Sequence, residues 1–224
     1  MSSLRVVVLP KLLFCVACTG VQSPSPPSEP PPAEAPPSES PPRDPAAASV
    51  DEAPPQPEEP AVADSFQFPT AGYEAGSAHG RRFLVPRNHV GDDSKHEHLT
   101  PVVAIGNGIV RQARRGGLAG YGSVVAVEHR LPDGEFVVSI YGHLCNHEGH
   151  RIPVGVGDIV TKGTLLGYIG DDDENGHGPE HIHLGIRKGE YDGHVCGYVG
   201  PRFCKVERFY DPTEFITARQ SPSD

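Results

Sequence analysis

The sequence predicts one all-β domain at residues 65–224, a compact and mostly antiparallel structure of the sandwich or barrel-like kind. Two observations lead to this prediction. Runs of β-branched and apolar residues, such as Ser123–His129 and Phe136–Tyr141, are separated by turns rich in glycine, proline and aspartate. No stretch of the domain carries apolar residues at a sustained helical period. At about 160 residues, the domain is long enough to bury a proper core.

The strands are expected in the following order along the chain. Arg81–Pro86 is predicted to be a short first strand, and a loop from Arg87 to Asp93 follows it. Further strands are predicted at 100–105, 109–110, 123–129, 136–141, 154–160, 162–170 and 180–187, with turns at 106–108 and 130–135, a glycine-rich loop at 116–122 and a polar loop at 171–180.

Residues 1–21 are predicted to be a signal peptide or a lipoprotein signal, because a basic residue, an apolar run and small residues follow one another. The segment Cys15-Val16-Ala17-Cys18 is similar to a bacterial lipobox, which implies a lipid-modified Cys18. Cys15 departs from that motif, which has Leu, Val or Ile there. Ordinary secretion and an uncleaved apolar tail are the alternatives. The run is too short and too interrupted to span a membrane by itself.

Residues 22–64 are predicted to be a disordered linker. They contain 15 of the 25 prolines, nine acidic residues and one basic residue, a composition that cannot bury enough apolar area to offset its ordering entropy. This segment carries most of the net charge of −10. The remaining domain is only mildly acidic and has no basic cluster, which argues against nucleic acid as a partner.

The segment Glu180–Arg187 alternates histidine with apolar residues. Alternation is the period of a strand, so His181 and His183 should lie on one face, with Ile182 and Leu184 on the other. Two imidazoles on one rigid face can form a metal site or an acid/base site. The alternative is a surface strand that carries two solvated histidines.

Two further stretches contain residue types that suit the same chemistry. His89 and Asp93 are four residues apart with Gly91 between them, and together they could supply two ligands to one zinc ion. His143 follows the strand at 136–141, where a histidine can also be no more than a polar strand end.

The ordered set HxGxD, GYGxxVxxxH, YGHL, VGDxVxKGxxxGxxG and HxH resembles the M23 family of zinc metallopeptidases, the lysostaphin and LytM type of peptidoglycan endopeptidase. The resemblance covers about residues 83–187. It implies Zn²⁺ as cofactor, with His89, Asp93 and His183 as ligands and with His143 and His181 as catalytic histidines. Three protein ligands leave a fourth position for water, as in catalytic zinc sites, and zinc lowers the pKa of such a water towards about 7.

Some residues beside these motifs depart from the family pattern or offer alternatives. Leu184 stands where the family has Phe, and Glu180 is inserted before His181. Asp92 could be the ligand instead of Asp93 if the motif were shifted by one residue along the chain. His96 and His98 form a second HxH, which we expect to be solvated, and His129 is expected to be structural.

The resemblance therefore predicts an exported zinc endopeptidase that hydrolyses peptide bonds of bacterial peptidoglycan, in cross-links or cross-bridges. One alternative is an inactive module that binds and activates another cell-wall hydrolase. Another is a biotinyl or lipoyl carrier, suggested by VGDIVTKGTLLGYIG, although Lys162 lacks the usual methionine neighbour. The expected location is the cell envelope, lipid-anchored through Cys18 at the outer membrane or periplasm, or else the medium. A monomer is expected.

The positions of the cysteines are consistent with an exported protein. A disulfide is plausible between Cys196 and Cys204, which flank a segment containing glycine and proline. Cys145 would then be left over. Three reduced thiols are the alternative.

Overall fold

The structure is a computed structural model that describes residues 59–76, 82–85, 88–118, 120–175, 178–200 and 202–221. The predicted signal, Cys18 and the predicted linker up to residue 58 lie outside the described residues. Within the described residues the regular structure is nearly all antiparallel β, which confirms the predicted fold class. None of the described helices is long and apolar enough to cross a membrane.

A curled sheet of seven strands carries the domain, and a separate pair of strands packs beside it. The strands are β1 (Asp92–Lys95), β2 (Pro101–Val103), β3 (Gly108–Leu118), β4 (Gly122–Arg130), β5 (Phe136–Leu144), β6 (Ile159–Val160), β7 (Leu165–Tyr168), β8 (His181–Lys188) and β9 (Phe209–Tyr210). The order across the large sheet is β1-β8-β5-β4-β3-β6, and β9 also pairs with β8. Strands β2 and β7 form the small sheet.

The large sheet is buried on both faces because its central strands alternate between two apolar clusters. Val125 and Val127 of β4 belong to the larger cluster, together with Ile182 and Leu184 of β8. Val124 and Ala126 of β4 face the other way, into a smaller cluster with Val138, Ile140 and Phe209. This explains why β4 reads as an almost continuous apolar run. Burial on both faces makes the sheet a rigid support for side chains at its edge.

A short helix, α1 (Pro212–Thr217), packs on the larger cluster through Phe215 and Ile216. The Asp211 side chain caps it by accepting a hydrogen bond from the Glu214 amide, and Pro212 suits the first turn. The sequence did not predict this helix. Six residues are too few to establish a helical period, so its stability depends on tertiary packing.

The predicted first strand at 81–86 was wrong over its described residues. Arg82 and Val85 form only an isolated antiparallel bridge, and Leu84 between them has a φ of 58°, which is left-handed backbone rather than extended. The first strand is instead β1, which begins at Asp92 near the end of the stretch 87–93 that was predicted as a loop. Its polar sequence has no strand pattern, and pairing with β8 is what makes it extended.

The cysteines pair as the sequence suggested. Cys196 and Cys204 form a disulfide within the smaller apolar cluster, with their Cα atoms 5.8 Å apart. Cys145 is a free, buried cysteine, and burial raises the pKa of its thiol to about 11. A buried neutral thiol of this kind is a poor nucleophile.

His129 is fully buried between β3 and β5, in agreement with the structural role expected from the sequence. Its Nδ1 donates to the Asn107 carbonyl at 2.7 Å, and its Nε2 lies 2.7 Å from Ser139 Oγ. Ser139 Oγ in turn lies 3.0 Å from the hydroxyl of Tyr141, which accepts from the Ile105 amide. Burial lowers the pKa of His129 to about 4.

We expect His129 to make folding stability depend on pH. Between pH 6.5 and about 4, the histidine takes up a proton only in the unfolded chain, so acidification destabilises the fold by about 3 kcal/mol. Urea unfolding of wild type and His129→Gln at pH 7 and pH 4 tests this. The stability advantage of the wild type should shrink by about that amount at the lower pH, and an unchanged difference would contradict a neutral buried His129.

Candidate active site

Strand β8 places His181 and His183 on one face of the sheet. Both side chains are buried, as are Ile182 and Leu184, which point into the larger apolar cluster behind the sheet. The alternation predicted from the sequence is therefore present in the structure. The two histidines are not solvated surface residues, because the rings of His143, Tyr121 and His89 pack against them.

The strand register decides what surrounds His183. On one side it lies opposite Asp93 of β1, and on the other side opposite Gly142 of β5. His89, four residues before Asp93, pairs with Tyr198 in an isolated bridge that brings its ring to the same point. Residues about 90 positions apart in the chain thus meet in one cluster.

Three potential ligand atoms in this cluster form a nearly equilateral triangle. Asp93 Oδ1 lies 2.9 Å from His183 Nδ1 and 3.3 Å from His89 Nε2, and the two nitrogens are 3.1 Å apart. Ligands at roughly 2.0–2.1 Å from a tetrahedral zinc ion lie about 3.3 Å from one another. The three residues are at most 2% exposed. Their spacing fits one cation without rearrangement.

The protonation states favour a cation as well. His89 Nδ1 donates to the Arg82 carbonyl at 3.0 Å, so the proton of the neutral ring is on Nδ1 and the lone pair of Nε2 faces the cluster. Burial alone would raise the pKa of Asp93, but the hydrogen bond from His183 Nδ1 and the neighbouring His183 and His89 rings lower that pKa well below its usual range, so Asp93 remains ionised. At most one proton, on His183 Nδ1, lies among three acceptor atoms. A divalent ion would satisfy all three.

His143 and His181 lie beside this triangle as a second pair of imidazoles, with ring centroids 4.1 Å apart. His143 Nδ1 donates to the Asn175 carbonyl at 2.5 Å, and His181 Nδ1 donates to the Pro179 carbonyl at 2.7 Å. Carbonyl oxygens only accept, so both neutral rings carry the proton on Nδ1 and the basic lone pair on Nε2. Burial, and then the neighbouring His181 and His183, lower the pKa of His143 to about 3.

The backbone at His143 is strained, because this residue has a φ of 64°. The change of direction follows Gly142, and the His143 amide donates to the Tyr121 carbonyl rather than continuing the ladder of β5. A left-handed residue at this point turns the imidazole towards His181.

Tyr121 is a residue of the site that sequence reasoning did not single out. Its ring lies 5.3 Å from His183 and 5.7 Å from His143 between centroids, and its buried hydroxyl has no hydrogen-bond partner among the described residues. It occupies the space above Gly142, where a Cβ atom would come within 2.3 Å of the ring. The GYG motif at 120–122 was the signal in the sequence, and Gly142 of the YGHL motif permits this close approach.

The alternative candidate ligands named from the sequence, Asp92, His96 and His98, lie outside the triangle. Asp92 points away from the triangle and accepts from the Phe83 amide and from both the amide and the hydroxyl of Thr213. His96 is within hydrogen-bond distance of Thr70 and Ser94. His98 does not accompany it, and lies in a second group of potential ligands with His147, Asp171 and Glu174.

The sequence model of peptidase family M23 matches residues 87–195, a range that contains all five predicted site residues. The domain belongs to peptidase family M23. The resemblance predicted from the sequence is thereby confirmed. No curated protein matches the chain.

Solved structures with a similar chain path include other peptidases. Lysostaphin from Staphylococcus simulans is 22% identical, with a TM-score of 0.48 over 70% of this chain and 55% of its own. A peptidase M23 from Pseudomonas aeruginosa is 23% identical, with a TM-score of 0.48 over 73% and 55%. A zinc-containing peptidase from Vibrio cholerae is 20% identical, with a TM-score of 0.40 over 56% and 37%. The chain spans about half the length of the first of these.

In this M23 domain, Gly91→Ala should weaken zinc binding. A Cβ atom at position 91 would stand 2.5 Å from two atoms of the His183 ring and 2.6 Å from the Leu184 carbonyl, so the ring or β8 must shift. We expect zinc affinity to fall about tenfold or more, because the affinity of a metal site depends on the contacts that hold each ligand in position. Zinc titration by calorimetry measures this. Gly155→Ala is the matched control, since its Cβ atom meets nothing closer than 3.8 Å, and equal affinity in both variants would contradict the position of His183.

Proposed function

We propose that the M23 domain is a zinc-dependent endopeptidase that hydrolyses peptide bonds of bacterial peptidoglycan. His89, Asp93 and His183 are the zinc ligands, and His143 and His181 are the catalytic histidines. The observation that carries this proposal is the triangle of His89 Nε2, Asp93 Oδ1 and His183 Nδ1 beside a second pair of imidazoles. Membership of the M23 family supports it independently.

The ligand set suits a catalytic rather than a structural metal. Two imidazole nitrogens and one carboxylate oxygen are zinc donors, and three protein ligands leave one coordination position for water or substrate. Bound zinc would supply a water of lowered pKa and would polarise the carbonyl of the peptide bond. The chain's own contribution is to hold the three donors in place through the β1–β8 register and the Arg82 carbonyl.

His181 and His143 would carry the protons. Each has its Nδ1 proton fixed by a backbone carbonyl, so each presents a basic Nε2. One ring would take a proton from the attacking water, and the resulting imidazolium would stabilise the developing oxyanion and return that proton to the leaving amine. The other ring would accept the second proton of the water, which is released as the product carboxylate forms. Burial of both rings excludes competing water, and burial lowers the pKa of His143, which favours its neutral form before reaction.

We further propose that the substrate is a peptidoglycan peptide and that the protein acts in the cell envelope or outside the cell. The Cys196–Cys204 disulfide supports export, because disulfides persist in oxidising compartments. Attachment through an acylated Cys18 and a monomeric state belong to the same proposal.

Zinc content and peptidoglycan digestion, measured together on the full chain, test the assignments. We expect His183→Ala to hold one zinc equivalent fewer than wild type and to be inactive. His181→Ala should keep that zinc and lose activity by about 100-fold or more, because it removes only a proton-transfer group. His150→Ala, outside this site, is the control and should match wild type in both respects.

Two outcomes would contradict the proposal in different ways. A wild type without the zinc equivalent that depends on His183 would remove the peptidase mechanism, and an inactive module that activates another hydrolase would take its place. Full activity in His181→Ala would leave the metal site intact but remove the proton-transfer role of that histidine.

A further inference from the structure

A second group of metal-ligating side chains lies outside the candidate active site. We call His98, His147, Asp171 and Glu174 the loop cluster, because each comes from a loop that follows β1, β5 or β7. One potential ligand atom of each residue lies within 4.8 Å of the others. His147 Nε2 lies 3.1 Å from Asp171 Oδ2 and 3.7 Å from Glu174 Oε2.

Two atoms of the loop cluster are buried acceptors or donors without a hydrogen bond. Glu174 Oε2 and His98 Nε2 are inaccessible to solvent, and neither has a hydrogen-bond partner among the described residues. Leaving a buried polar atom unsatisfied costs about 1–3 kcal/mol, and more for a charged one. That both lie in the same cluster indicates a shared missing partner, and a cation satisfies a carboxylate oxygen and an imidazole nitrogen together.

The backbone holds both carboxylates with one oxygen directed at the cluster. Asp171 Oδ1 accepts from the Glu174 amide at 3.0 Å, which leaves Oδ2 towards His147. Glu174 Oε1 accepts from the Asn146 amide at 2.7 Å, which leaves Oε2 for the cluster. Such outer hydrogen bonds orient metal ligands before the metal binds. An ion can reach the loop cluster from solvent, because the His147 side chain is 55% exposed.

We propose that the loop cluster is a second metal site, which binds a first-row divalent transition ion, zinc above all. Two imidazoles with two carboxylates suit zinc, whereas calcium and magnesium prefer oxygen ligands throughout. Four protein ligands fill a tetrahedral coordination sphere, so this site is structural rather than catalytic.

The site would stabilise the loop that orients the catalytic histidines. Glu174 immediately precedes Asn175, whose carbonyl accepts the His143 proton, and the Pro179 carbonyl of the same loop accepts from His181. The Glu174 carbonyl also packs against Gly122 so closely that a Cβ atom there would come within 2.0 Å. An ion at the loop cluster therefore joins three loops next to His143.

The test uses the full chain with His183→Ala as background, so that only the loop cluster can hold zinc tightly. We expect this variant to retain one zinc equivalent with micromolar or tighter affinity. Adding His98→Ala should weaken that affinity about 100-fold or more, since it removes a ligand rather than its support. Adding His96→Ala instead is the matched control, two residues away and outside the cluster, and should leave the affinity unchanged.

A second variant and a second readout keep the result clear if His98→Ala folds poorly. His147→Ala changes an exposed side chain and should cause the same loss of zinc. Saturating zinc should raise the melting temperature of the His183→Ala protein by about 5–10 °C, and this rise should vanish with His147→Ala.

The proposal is overturned if His183→Ala holds no zinc at micromolar affinity, or if His98→Ala and His147→Ala both bind it as His96→Ala does. Failure of the proposed peptidase site gives a different pattern. His183→Ala would then hold as much zinc as wild type, and the double variant His183→Ala/His98→Ala would hold none. The two proposals therefore fail separately.

Discussion

The antiparallel register of β8 with its two neighbours is the constraint on which the candidate active site depends. His183 lies between Asp93 on one side and Gly142 on the other. A slip of one residue would turn both histidines of β8 into the core and Ile182 into the site, since side chains alternate along a strand. The apolar side chains behind β8 oppose such a slip, because it would expose them or bury polar groups in their place.

Close packing in front of the sheet is possible only because small residues lie opposite the rings. Gly91 admits the His183 ring, and Gly142 admits the ring of Tyr121. The histidine rings are oriented mainly by backbone carbonyls, from Arg82, Asn175 and Pro179. The conformation of these loops therefore determines the tautomer of each histidine. The tautomer in turn determines which ring nitrogen is available for a metal or a proton.

The loop at 171–180 contributes to both groups of candidate metal ligands and catalytic residues. Asp171 and Glu174 contribute two carboxylates to the loop cluster, and the carbonyls of Asn175 and Pro179 hold His143 and His181. The strained backbone of His143 is retained by these contacts, because a left-handed histidine is costly unless its surroundings determine it.

The local sequence pattern was sufficient to predict much of this structure. The β4–β5 hairpin, β8 and the paired imidazoles of β8 follow from β-branched runs, turn residues and alternation, which are properties of neighbouring residues. The ordered motifs indicated the family and the five candidate site residues. Cys196 and Cys204 are near enough in the chain for their pairing to be anticipated.

Other features were decided by contacts between distant segments. Strand β1 has no strand pattern of its own and is extended because β8 pairs with it. Tyr121 enters the site through a gap at Gly142, and His98 parts from His96 to meet Asp171. Nothing in the spacing of these residues indicates their proximity. The sequence by itself determined which faces are apolar and which motifs are present, and the tertiary structure decided which polar side chains share a buried space, because that depends on long-range strand register and loop packing.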